Sequence, residues 1–353
     1  MNEQMDTQED ILALAIRAVA RTTGLRLATT PADGGTNATA RLEPAGTVFT
    51  VETRRWAQHL NLGALLDQIG RLPPPALLVA DYVNPRLADR LRDQQVQFID
   101  AVGNAYVNQP PVYVYVTANR PARRALTAPI VGTNRAFEPK GLMVTYAFLC
   151  HPRLLDAPYR AIAQHAGVAV GTVGEVLNGL KAAQLIRPKG GQRGYHIVNC
   201  RKLLDRWVDA YPERLKPKQL VGEFVAEDRD WWKAIDIRAY GGYWGGEIAG
   251  ARYTRYLVPE VATVYLPDHG RARLLRDARL RRATPETGNR GAPVLMYRPF
   301  WPETPPDIAE QPKVDLVHPV LAYADLVATA EPRNLQVARQ LYDEYIAQYC
   351  GEA

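Results

Sequence analysis

Residues 158–198 read PYRAIAQHAGVAVGTVGEVLNGLKAAQLIRPKGGQRGYHIV. Apolar residues recur at helical spacing over Tyr159–Ala166 and again over Gly171–Ala183, with Gly167 between the two runs. Ile162, Val168, Val173 and Val176 supply apolar faces, Ala163 is small enough for two helices to cross closely, and Gly167 suits the turn. Beyond the second run, strand-forming residues flank a Gly-Gly tip, the pattern of a β-hairpin. GLMVTYAFLC just upstream supplies a first helix. Together these predict a winged helix-turn-helix within a central region, residues 136–218.

The second predicted helix of that motif is weakened by its own sequence. Gly171, Gly174 and Gly179 each cost a helix interior about 1 kcal/mol relative to alanine. One reason to carry them is close approach of the backbone to phosphate oxygens, which a Cβ would hold off. Tight packing between helices is the other reason, and the spacing alone leaves both open. The positions facing outward with these glycines are Thr172, Glu175, Asn178 and Lys181. None is an arginine able to take a guanine edge bidentately. Arg187, Lys189, Gln192 and Arg193 surround the hairpin tip, so the expected wing supplies much of the affinity for double-stranded DNA.

Charge points the same way. Residues 138–218 hold 13 Lys+Arg against 6 Asp+Glu, whereas the rest of the chain carries 30 basic and 31 acidic residues. A net charge of +6 confined to one segment is the electrostatic footprint of a nucleic-acid-binding module.

Several chemistries are excluded or left without a motif. The chain has no serine, so no serine nucleophile exists. There is no G-x-x-x-x-G-K phosphate loop and no H-E-x-x-H, and the six histidines are scattered along the chain. Neither a cofactor nor a bound metal is expected. No apolar run approaches the roughly 20 residues of a membrane span. The N-terminal MNEQMDTQED is acidic, unlike a secretory signal. Cys150, Cys200 and Cys350 form no C-x-x-C and are read as buried thiols of a cytoplasmic protein.

On either side lie regions of mixed composition. Residues 1–135 begin with an amphipathic helix built on Ile11, Leu12, Ala15 and Val19. Two strands, a helix, a strand, a helix opening near Pro85 and two further strands follow, which predicts an α/β sheet domain. Residues 219–353 begin with aromatic-rich WWKAIDIRAYGGYWGG, continue into RARLLRDARLRR, read as a solvated helix face, and close with two helices separated at AEPRN. The predicted class is α+β in three domains.

PYRAIAQHAGVAVGTVGEVLNGLKAAQLI resembles the winged helices of the AbiEi-type regulators, antitoxins of type IV toxin–antitoxin systems. GGYWGGEIAGA, VHPVLAYADLV and EPRNLQVARQLYDEYI look like the C-terminal part of the same family. The resemblance implies a cytoplasmic transcriptional repressor of its own operon. It would act as a homodimer on an operator, with inverted repeats as the matching DNA form, and its functional partner would be a nucleotidyltransferase-like toxin. The simplest members of that family begin with the winged helix, whereas about 135 residues precede it here.

The order of elements in residues 1–135 also resembles the PD-(D/E)xK restriction-endonuclease-like fold. Matched to that motif, Asp33 or a neighbour is the first carboxylate and Glu52-Thr53-Arg54 stands at the E-x-K. The chemistry needs carboxylates to hold a divalent metal and a lysine to serve the attacking water. No lysine precedes Lys140, and Arg54 stays protonated. An inactive relative is therefore expected, and the protein is not expected to be an enzyme. A metal-dependent nuclease using Asp33, Glu52 and Arg54, or a plasmid replication or partition protein, are the alternatives.

Overall fold

A computed structural model of the chain describes residues 8–30, 38–54, 62–119, 135–190, 194–284, 291–302 and 315–350. The chain divides into two compact units, Met1–Val131 and Gly132–Ala353.

The first unit is a helix-covered, seven-stranded sheet whose strands lie in sequence order. Its elements are α1 (Gln8–Thr23), β1 (Arg26–Thr30), β2 (Thr39–Glu43), β3 (Val48–Arg54), α2 (Leu62–Ile69), β4 (Ala76–Ala80), α3 (Pro85–Asp93), β5 (Gln97–Asp100), β6 (Ala105–Gln109) and β7 (Val112–Val116). Strands β3, β4 and β5 are parallel, joined through α2 and α3, and antiparallel strands flank them on both sides. The central strands are buried, as a parallel sheet requires. Ile11, Leu12, Ala15 and Val19 of α1 pack with Leu42, Phe49, Val51, Leu77 and Val79 of the sheet. Asn84 caps α3 by accepting from the Leu87 amide at 3.0 Å, with Pro85 in the first turn.

Two details differ from the expected order. A third antiparallel strand, β1, precedes α2, so the match to a two-strand start is imperfect. The single strand expected over VQFIDAVGNAYVN is two strands. Asp100 accepts the amides of Val102 and Asn104 at 3.0 and 2.8 Å, and so folds the chain back.

The second unit opens with helices α4 (Pro139–Cys150), α5 (Tyr159–Ala166) and α6 (Val170–Ala182). A two-stranded antiparallel hairpin, β8 (Ile186–Pro188) and β9 (Tyr195–Ile197), follows. Then comes α7 (Cys200–Arg214), capped by Asn199, whose side chain accepts from the Lys202 amide at 2.7 Å. Trp207 on α7 is fully buried and donates its indole N–H to the Leu142 carbonyl at 2.9 Å, fixing α7 against α4. Of the cysteines, Cys150 is a free thiol, but Cys200 is disulfide-bonded, which corrects the expectation of three free thiols.

The chain continues through the single turn α8 (Lys216–Gln219), β10 (Leu220–Ala226), β11 (Tyr243–Gly245), α9 (Gly246–Thr254), β12 (Ala262–Tyr265), α10 (Asp268–Asp277), β13 (Arg281–Arg282), β14 (Ala292–Tyr297), α11 (Pro319–Ala328) and α12 (Pro332–Leu341). The strands form one sheet in the order β11-β12-β14-β10-β13. RARLLRDARLRR is helical only as far as Asp277. Arg279 has a left-handed backbone, φ 51°, and Arg281 and Arg282 lie on the edge strand β13.

Two buried carboxylates tie this part together. Asp325 on α11 accepts from the Tyr265 hydroxyl at 2.9 Å, the Tyr211 hydroxyl at 3.1 Å and the Lys216 ammonium at 2.8 Å. Burial alone would lower the pKa of Lys216; the Asp325 carboxylate overrides this and holds it above the usual value. Glu247 on α9 accepts from Arg333 at 2.8 Å and Asn334 at 3.0 Å, both on α12, and from the Glu260 amide at 2.6 Å. Glu247, Asp325, Arg333 and Asn334 all belong to the three C-terminal motifs quoted above, whose polar residues therefore bind the elements to one another.

Candidate nucleic-acid interface

Helix α5 ends at Gly167, which has φ 65° and ψ 38°, the left-handed geometry that suits glycine. Its amide and that of Val168 bond back to the carbonyls of Gln164 and Ala163 at 3.3 and 3.0 Å, closing the helix end. The chain re-enters helix α6 three residues later. One side of α6 carries the buried Val173, Val176, Leu177 and Leu180, and Ile162, Ala163 and Ala166 are buried on α5, the helix α6 packs against.

The opposite side of α6 carries the residues singled out from the sequence. Gly171, Glu175 and Asn178 are exposed, and Thr172, Gly174 and Lys181 are half-buried. Their spacing of three and four residues puts Gly171, Gly174, Glu175, Asn178 and Lys181 on one stripe. At Gly171 a Cβ would meet nothing within 4 Å; at Gly174 it would stand 3.6 Å from the Tyr159 ring, an ordinary contact. Packing within this chain therefore does not require glycine at either position.

The hairpin beside α6 holds Arg187 and His196 as directly paired cross-strand residues, both exposed. Lys189, next along the hairpin, is paired with a carboxylate. Its ammonium is 2.7 and 2.8 Å from the two carboxylate oxygens of Asp156, in the turn Pro152–Asp156 between α4 and α5. Gln192 and Arg193 lie outside the described residues. Lys181 sits over the Tyr195 ring at 5.6 Å, linking α6 to β9. Glu175 is 3.9 Å from Arg135, both strongly exposed, a weak pair that offsets part of its charge.

Two neighbours of this face, Tyr159 and Arg135, and the exposed Arg160 of α5 were not singled out by the sequence reading. Tyr159 is 42% exposed and lies against Gly174; Arg160 on α5 is exposed; Arg135 pairs Glu175. Burial, then a hydrogen bond with Tyr195, raises the pKa of the Tyr159 phenol, so it stays neutral. Helical periodicity would have put Tyr159 and Arg160 on the surface of α5, but nothing in the sequence shows which side of α5 borders α6.

In the first unit, Glu52 and Arg54 lie on β3 with Arg54 Nε 3.2 Å from Glu52 Oε1. Asp33 lies outside the described residues. Among the described residues, no three His, Cys, Asp or Glu side chains are placed to hold a metal ion, and no helix is long and apolar enough to cross a membrane.

Residues 196–347 match a family model described as "Transcriptional regulator, AbiEi antitoxin, Type IV TA system". The match opens on β9, runs through α12, and takes in the Glu247 and Asp325 networks; it leaves out α5 and α6. No curated protein and no solved structure matches the chain.

Proposed function

We propose that the protein is a DNA-binding transcriptional regulator of the AbiEi type, acting as the antitoxin of a type IV toxin–antitoxin pair. In this reading α4, α5, α6 and the β8–β9 hairpin are a winged helix-turn-helix, with α6 as the helix entering the major groove. Asn178 and Lys181 would face base edges, while Gly171, Gly174 and Thr172 let the backbone approach phosphate. Arg187, and Arg193 between the two strands in sequence, would contact phosphate from the wing.

The observation that carries the reading is the open space at Gly171. A helix glycine with no intramolecular neighbour has a reason to be kept if another molecule approaches there. The family match over residues 196–347 supports the regulatory role independently of that face. A homodimer on inverted repeats, repression of its own operon and a nucleotidyltransferase-like toxin as functional partner complete the proposal. Residues 1–131 would serve as a non-catalytic module, because their strands bring no lysine to Glu52.

A reporter driven by the gene's own promoter tests repression, alongside a band shift with the same DNA. Wild-type protein should lower reporter output, and a Gly171→Val protein of normal abundance should not. Equal output from both proteins would remove the α6 face from the account.

A further inference from the structure

Strand β7 (Val112–Val116) is one edge of the seven-stranded sheet. It reads VYVYV, the same in both directions, and pairs antiparallel with β6 on its inner side. Val112 and Val114 pack against the core of the unit. On the opposite face, Tyr113 and Tyr115 meet the buried Tyr106 ring edge-on at 6.2 and 6.0 Å. Tyr115 also donates its hydroxyl to Asp89 at 2.7 Å, whereas Tyr113 is 63% exposed.

The backbone of β7 has a defined parity. The Asn108 amide donates to Gln97 Oε1 at 2.9 Å, so it faces β5 rather than β7. Asn108 is paired with Tyr113, and antiparallel ladders alternate between bonded and non-bonded pairs. The N–H and C=O of Tyr113, and of Tyr115 two residues on, therefore point outward from the sheet. No strand among the described residues takes them up. Beyond Val116 the chain turns inward. Ala118 has φ 73°, and the Asn119 backbone exchanges hydrogen bonds with the Asn104 side chain, beside the start of β6, at 2.9 and 3.2 Å.

Sheet edges are commonly protected by charge, proline, a bulge or short length, which keep other strands off. β7 has none of these: it is uncharged and five residues long, and its pairing with β6 runs without a register shift. The opposite edge, β1, carries Arg26, and the edges of the five-stranded sheet are three and two residues long.

We propose that β7 pairs with β7 of a second copy of this chain, antiparallel about a two-fold axis at Val114. A two-fold interface requires each contact to occur twice with the roles exchanged. Centred on Val114, the pairing sets Tyr113 against Tyr115 of the second copy, and Tyr115 against its Tyr113. Each of these pairs exchanges both backbone hydrogen bonds. Valine then faces valine and tyrosine faces tyrosine at every position, and the tyrosine cluster continues across the seam. A strand of another sequence has no reason to match this alternation; a second copy matches it throughout. The pairing gives the homodimer of the functional reading its surface, but does not itself depend on DNA binding.

Sedimentation velocity on the full chain, from about 1 to 100 µM, should show a dimer that grows with concentration. Tyr113→Pro removes an outward-facing donor and leaves the bonds to β6 in place. It should weaken self-association about tenfold or more, with an unchanged circular dichroism spectrum. Val114→Cys gives a second readout if that variant does not fold. Directly opposed residues of a non-bonded pair have Cα atoms about 4.5 Å apart, within disulfide reach. Val114→Cys should therefore cross-link two copies under mild oxidation, while Val112→Cys, roughly 14 Å from its counterpart in this register, should not. A protein monomeric throughout, or self-association that a folded Tyr113→Pro leaves unchanged, would overturn the pairing. So would cross-linking no greater at position 114 than at position 112. A dimer that binds no DNA would sink the functional reading and leave the pairing standing.

Discussion

Lys189 donates to both carboxylate oxygens of Asp156, at 2.7 and 2.8 Å, across the gap between the hairpin and the turn that precedes α5. The pair fastens the hairpin to the helices and commits a cation that would otherwise be free to meet phosphate. Arg187, one position from the end of β8, makes no ion pair among the described residues.

The two basic residues should therefore behave differently in a salt titration of DNA affinity. Arg187→Ala should reduce the slope of log affinity against log salt by about 0.9, the value of one phosphate contact. Lys189→Ala should change it much less. Asp156→Asn should steepen the slope, because it frees the lysine. Equal losses from Arg187→Ala and Lys189→Ala would show that the Asp156 pair does not hold in solution.

Gly174→Ala separates the two explanations of the glycines. A Cβ there fits beside Tyr159 at an ordinary 3.6 Å, so the variant should gain up to about 1 kcal/mol of helix stability. The same methyl group stands on the stripe proposed to meet DNA, so affinity for DNA should fall. A thermal melt and a binding isotherm on one preparation check both signs. Higher stability with unchanged affinity would mean that DNA does not approach α6 there.

Asp325 is 1% exposed and sits at the centre of a network reaching α7, α8, β12 and α11. Asp325→Ala leaves the Lys216 ammonium buried without its carboxylate, and should cost about 3–5 kcal/mol in urea unfolding. Lys216→Met should cost less, since two tyrosine hydroxyls still donate to Asp325. The reverse order would place the stabilisation in the lysine's packing against Tyr297 rather than in the ion pair.

Stability should also fall on acidification, through the buried imidazoles of His151 and His318. Burial depresses His151 to about 4 and His318 to about 3, below the unfolded value of about 6.5. The unfolded chain thus binds more protons than the folded one between these limits, so the contribution is complete above about 6.5 and is lost as pH falls toward the folded values. Urea midpoints from neutral pH to about 4 should decline, and His151→Gln should flatten that decline. An unchanged decline would assign it to other groups.

How far the sequence could be read depended on whether the physics was local. Helix α12 begins at Pro332, α3 begins at Pro85, and Tyr159–Ala166 is a helix, because proline, capping side chains and apolar spacing act within a few residues. The outward stripe of α6 was legible for the same reason: Gly171, Gly174, Glu175, Asn178 and Lys181 share a face by periodicity alone. What was not legible depends on contacts distant in sequence. Nothing near Lys189 announces Asp156, thirty-three residues earlier. Nothing in the motif around Glu247 announces Asn334. The break after Asp100 was missed because an aspartate bonding its neighbours' amides competes with strand formation, while the apolar pattern runs on through it. His151, His165 and His318 look scattered in the sequence because only the tertiary fold brings their rings within 4.9 and 6.1 Å of one another.

The central claim is that α6 reads DNA through its exposed stripe. The most direct measurement is selection of duplexes from a random-sequence pool by the full-length protein, followed by anisotropy titration at roughly 150 mM salt. The account predicts enrichment of a defined sequence, bound at least about 10³-fold more tightly than scrambled DNA. It also predicts loss of that discrimination in a folded variant carrying Asn178→Ala and Lys181→Ala. No enriched sequence, or discrimination that survives both substitutions, would contradict it.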